Sequence, residues 1–157
     1  MKTIQTLIKD LTGITVEQEK INEYLASEAL DLKDAKLANA DLEDAKLQWA
    51  KLINANLWGA CLRDANLSVA DLRRSNLEYA CLRDAKLINA NLWGACLRDA
   101  NLSVADLRRS NLEYACLRDA NLSYTDLRGV NLTCADLQGT EITKQQLEQL
   151  TVIGEDK

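Results

Sequence analysis

The chain contains no histidine, no proline and no phenylalanine, and only six of its 157 residues are glycine. Without histidine there is no imidazole to act as general base or zinc ligand, and the five cysteines include no CxxC pair. No glycine-rich phosphate loop is present, so the common nucleotide-binding device is missing as well. With no proline, every change of chain direction falls to other residue types. No apolar run approaches the length of a membrane span, and Met1–Asp10 lacks the apolar core of a signal peptide. The 19 basic and 24 acidic side chains leave a net charge of -5, which favours solubility and argues against a nucleic-acid surface. The expectation is a cytoplasmic, non-enzymatic protein with free thiols, no cofactor, no metal, no nucleic acid and no membrane partner.

What the sequence has in abundance is leucine and alanine at a fixed spacing. From Ala35-Lys36-Leu37 to Thr140-Glu141-Ile142 a small residue, a polar residue and a leucine or isoleucine recur every fifth position through 22 consecutive units. Leu30-Asp31-Leu32 reads as a weak first unit. A helix would rotate successive leucines by about 140° and leave no apolar face. A continuous strand would need period two. Within one unit, however, the small residue and the leucine are two apart, so on an extended segment both point inward while the residue between them points out. The next two residues can turn a corner. Four such corners close a square coil of 20 residues, stacked at about the ordinary strand spacing of 4.8 Å, with leucine and a small residue filling a narrow core.

The repeated A-[DN]-L-x-x motif resembles the pentapeptide-repeat family. The resemblance implies an all-β solenoid, a right-handed quadrilateral parallel β-helix, over residues 30–142. The chain departs from the usual pattern in having no phenylalanine at the central position, and lysine or cysteine at several outward positions. The second corner residue is glycine or asparagine in some units, which suits a positive φ and a type II turn. Elsewhere it is Trp49, Val69, Arg74, Tyr79, Val104, Arg109 or Tyr114, which favour type I bends, so mixed corners are expected.

A stack of coils needs its ends covered. Capping boxes at Thr15-Val16-Glu17-Gln18 and Thr143-Lys144-Gln145-Gln146 predict an N-terminal helical cap over residues 1–29 and a C-terminal capping helix and tail over 143–157. The second helix closes the core in the simplest reading. Dimerisation through this end, which the family resemblance implies for gyrase-directed members, is the alternative to a monomer.

Residue n is expected beneath n+20. Cys61 then lies under Cys81, and Cys96 under Cys116, as unlinked thiols whose Cβ atoms stand too far apart for a disulfide. The Arg-Asp corners that accompany them are expected to form an alternating ionic ladder, and the stacked asparagines amide ladders. A thiol-based redox role is a minor alternative, given nearby arginines.

The family resemblance also implies a candidate activity, mimicry of DNA toward a DNA gyrase or topoisomerase. The near-neutral repeat surface disfavours it: 16 acidic and 14 basic residues lie between Asp31 and Ile142. The favoured function is a scaffold acting through protein–protein interaction, with the partner unknown. Candidate contact residues are Trp49, Val69 and Ile88 on one edge, continued by Arg108, Arg109 and Arg128. A neighbouring edge carries Ile53, Tyr114 and Arg73 under Trp93, the last two as a cation–π pair. Exposed apolar groups beside arginine have the make-up of interface cores.

One further feature stands out: Lys51–Ala85 is repeated without change as Lys86–Ala120. Thirty-five residues are seven units, or one and three-quarter coils. The second copy should therefore keep its core and present its outside a quarter turn away.

Overall fold

The computed structural model describes residues 29–150; the expectations for residues 1–28 and 151–157, including most of the N-terminal cap, lie outside them. Nineteen parallel bridges, each joining a residue to the one 20 positions later, run without a break from Asp31↔Lys51 to Asn121↔Glu141. The coil is thus 20 residues long, and the Leu30-Asp31-Leu32 unit belongs to the stack. Inside lies one continuous column of buried leucines and alanines, from Leu37 to Val130. Leu30, Leu32, Leu132, Leu137 and Ile142, toward the two ends, are only partly buried.

A unit with an outward Asn or Asp can satisfy all five of its backbone N–H groups, as the Asp71–Ser75 unit shows. Asp71 donates back to the carbonyl of Ala50 (2.9 Å), and Leu72 forward to that of Asn91 (2.7 Å). Arg74 donates forward to Trp93 (3.0 Å), and Ser75 closes the corner on Leu72 (3.1 Å). The N–H of Arg73 is left over, and the Asp71 carboxylate accepts it at 3.3 Å. The outward Asn or Asp of most other units does the same for its own corner, as in Asn76 with Glu78 and Asn111 with Glu113. This corrects the expectation of amide ladders: the asparagine oxygen is committed to its own turn.

The corners are not mixed. All 22 second corner residues have positive φ, between 54° and 73°, including Trp49, Val69, Arg74, Tyr79 and Val104. The reason is the stacking. The peptide between the two corner residues donates to the coil ahead and accepts from the coil behind, as Asp34 N–H to Ile53 C=O at 2.9 Å illustrates. A type I bend would flip that peptide and reverse both bonds. One flipped corner would break the column, so the ladder overrides a local cost of roughly 1–2 kcal/mol for an L-residue.

After Ile142 the chain forms a helix, α1 (Lys144–Leu150). The capping box is reciprocal: Thr143 N–H donates to Gln146 Oε1 (2.9 Å), and Gln146 N–H to Thr143 Oγ1 (3.3 Å). Gln146 is buried and Leu150 packs on the core, whereas Leu147 is exposed.

Candidate functional site

The outward residues form four faces and four edges. Numbered from the Asp31 column, the first edge carries Ile53, Arg73, Arg74, Trp93 and Tyr114; the fourth carries Trp49, Val69, Ile88, Arg108, Arg109 and Arg128. These two edges flank the first face, so all ten contact residues predicted from sequence fall on one side of the rod. Trp49 is 57% exposed and Val69 48%, while Ile88 and Trp93 are half-buried. Ile88, Arg108, Arg109 and Arg128 line a groove of about 350 Å³ on the fourth edge. Lys33, Ile53, Asn54, Arg73, Arg74 and Trp93 line one of about 300 Å³ on the first.

The arginines are arranged differently from the expectation. The guanidinium over Trp93 belongs to Arg74, with its Cζ 5.1 Å from the ring centroid, and not to Arg73. Arg73 instead folds back on its own unit, its Nη2 donating to Asp71 at 2.7 Å. Arg108 repeats this with Asp106 (2.7 Å) and Arg128 with Asp126 (2.6 Å). These guanidinium hydrogen bonds hold the carboxyls of Asp71, Asp106 and Asp126 below the usual aspartate range. The Arg-Asp ladder is formed only in part. Arg63 bonds Glu43, one coil back, at 2.6 Å, whereas Arg83 bonds its neighbour Asp84 at 3.1 Å.

Two edge-on aromatic pairs escaped the sequence reading, Trp58 with Tyr79 (5.7 Å) and Trp93 with Tyr114 (5.8 Å). Their separation of 21 residues is diagonal, so a rule of 20 does not find them. The second pair is the first displaced by 35 residues to the adjacent edge, as the duplication requires.

The cysteines are free. Cys61 is bridged to Cys81 and Cys96 to Cys116, on adjacent faces. Burial first, and then a hydrogen bond from its thiol to Glu78 at 3.3 Å, push the Cys96 thiol up to about 11. A thiol so protonated is a poor nucleophile. The structure also gathers Asp41, Glu43 and Cys61, whose donor atoms lie within 4.8 Å of one another. This cluster is legible only through the 20-residue stack, and its Glu43 is already engaged by Arg63.

The charge is uneven. Between Asp31 and Ile142, the side comprising the first and fourth faces with their edges carries nine basic and six acidic residues, a difference of +3. The opposite side carries five basic and ten acidic, a difference of -5. The near-neutral total therefore conceals two unlike flanks. Among the described residues no helix is long and apolar enough to cross a membrane.

No curated protein matches the chain. Among solved structures, it is similar to the pentapeptide repeat protein Rfr23 of the cyanobacterium Cyanothece 51142, at 38% identity over 63% of this chain and 64% of that one, with a TM-score of 0.51. It is also similar to HetL of Nostoc sp. strain PCC 7120, a pentapeptide repeat protein involved in heterocyst differentiation regulation, at 33% identity. That match covers 73% of this chain and 60% of HetL, with a TM-score of 0.33. The chain thus spans less than two thirds of either relative. The family model for pentapeptide repeats matches overlapping segments 31–68, 50–87, 85–123 and 117–144. Bridges 20 residues apart, buried leucines five apart and this match agree: the chain belongs to the pentapeptide repeat family, whose fold is a right-handed β-helix solenoid.

Proposed function

We propose that the chain is a rigid, non-enzymatic cytoplasmic scaffold that binds a partner protein through its first and fourth edges. In this reading the rod is a monomer, with helical caps at both ends and α1 closing the C-terminal one. The observation that carries it is the line of exposed Trp49, exposed Val69 and half-buried Ile88 running into the arginine groove of the same edge. Apolar and aromatic groups beside arginine are the composition of interface cores. The surface is rigid before contact, because the ladder and the filled core fix every corner, and a preorganised surface loses little entropy on binding.

Affinity capture from the native cell with the wild type and a Trp49→Ser/Ile88→Ser double variant tests the reading. Loss of a specific partner from the variant is the expected result; retention of every partner would sink it. Sedimentation should give one 17.5 kDa species; a dimer would overturn the monomer. The gyrase-mimic alternative gains little from the -5 flank, because Arg63, Arg83, Arg98 and Arg118 interrupt it. Clear inhibition or protection of gyrase supercoiling would reverse that ranking.

A further inference from the structure

The duplication places the same residue in two different settings. Arg74 in the first copy and Arg109 in the second occupy identical sequence surroundings. The residue 19 positions ahead of Arg74 is Trp93, whose ring takes up the guanidinium. The residue 19 positions ahead of Arg109 is Arg128, whose own head turns away to Asp126. On the fourth edge, then, three guanidiniums stand beside two carboxylates. Asp106 binds Arg108, and Asp126 binds Arg128 and approaches Arg108 at 3.6 Å. Among the described residues the Arg109 guanidinium makes no ion pair and no hydrogen bond. Its aliphatic stem lies against Gly129, whose missing side chain leaves the groove open: a Cβ there would meet Arg109 Cγ at 3.3 Å.

Resting on the edge being a protein contact, we propose that this groove is a carboxylate subsite, with Arg109 as its unpaired charge, for an extended acidic segment of a partner protein. Ile88 on the groove wall and Val69 and Trp49 farther along the edge take the partner's aliphatic side chains. Same-side residues of an extended peptide lie about 6.6 Å apart, comparable to the diagonal from Ile88 to Arg109, which is one coil rise of about 4.8 Å plus one residue along the corner. A leucine over Ile88 therefore puts the next same-side carboxylate within reach of Arg109, whose planar fork suits bidentate contact. A nucleic acid fits less well. In this groove its phosphates would find, among the described residues, one guanidinium without an ion pair, and it offers nothing to Ile88 or Val69.

The test uses the full chain and fluorescence anisotropy with a labelled decapeptide that alternates leucine and glutamate at every second position, with serine between them, so that both face one side. The expected result is binding that weakens about tenfold, or about 1.4 kcal/mol, in Arg109→Gln, and is unchanged in Arg118→Gln on the diagonally opposite edge. The same peptide with glutamine for glutamate should bind the wild type and Arg109→Gln equally weakly. Ile88→Ser should weaken the leucine peptide more than one with serine in its place. Circular dichroism and a thermal melt check that each variant folds. Wild-type binding of the glutamine peptide as tight as that of the glutamate peptide, no loss of the glutamate peptide in Arg109→Gln, or tighter binding of a short labelled single-stranded oligonucleotide would each overturn the proposal. If the Trp49→Ser/Ile88→Ser variant loses its captured partner while the acidic peptide shows no preference for Arg109, the edge remains the contact and only the carboxylate assignment fails.

Discussion

Gln146 of α1 donates its side-chain amide to the main-chain carbonyl of Leu122 at 2.6 Å, and shares the same nitrogen with the carbonyl of Thr125 at 2.8 Å. These are carbonyls of the last full coil, in a region where helix replaces the next corner and side. Gln146→Leu should remove the side-chain donor to Thr125 C=O, leave Leu122 C=O with only the Thr125 N–H at 3.0 Å, and cost the capping box its side-chain half. A loss of about 2–3 kcal/mol is expected from the urea midpoint; an unchanged midpoint would show that the helix contributes nothing to the stack.

Ser75 and Ser110 are the same residue in the two copies, both almost fully buried. Ser75 Oγ donates to Leu72 C=O at 2.7 Å, whereas Ser110 Oγ has no partner. Ser110→Ala should stabilise by about 1 kcal/mol and Ser75→Ala should be neutral or cost about as much. Equal melting shifts for the two variants would contradict the difference.

Val104 holds φ at 63° on an exposed corner. Val104→Asn should raise stability by about 0.5–1 kcal/mol, because asparagine tolerates the left-handed region and valine does not. Thermal unfolding reads the sign directly.

The lowered carboxyls of Asp71, Asp106 and Asp126 give a pH dependence of definite sign. A folded pKa below the unfolded value supplies stability that is present above the ordinary aspartate range and is lost as the pH falls through the folded value. The wild type should therefore lose stability below about pH 4. Replacing all three by asparagine should flatten that limb in pH-stepped urea titrations; an identical limb would locate it elsewhere.

Thiol labelling separates the cysteines. Cys134 is exposed, and Cys96 is half-buried and held protonated up to about pH 11. Near pH 8 an alkylating agent should modify Cys134 first and Cys96 slowly. Preferential labelling of Cys96 would restore the redox alternative.

Most of the architecture was readable because it depends on a single period. Leu-to-Leu spacing fixes the inside, and four corners fix the 20-residue stack that pairs Cys61 with Cys81 and Asn91 with Asn111. The corners were misread because local preference was applied where the neighbouring coils decide. Val69 alone favours a type I bend, but its N–H must reach Ile88 C=O, at 2.9 Å. The edges were placed correctly, yet the partners on them were not. Side chains lean, so Trp93 meets Arg74 and Tyr114, at offsets of 19 and 21, and a column rule knows only 20. The isolation of Arg109 was equally invisible, since its sequence context matches that of Arg74.

The uniform corners also give the rod an electrical direction. In each interior unit two N–H groups point toward the following coil, those of the leucine and the second corner residue, and only the outward residue's N–H points back. The surplus peptide dipole repeats at every corner and adds along the axis. The donor-rich end is the one where α1 sits, and the acceptor-rich end is the one at Leu30, the reverse of an α-helix's polarity. Negative charge is thus favoured beside the last coil, where Glu141 and Glu148 are found, and positive charge beside the first, near Lys33.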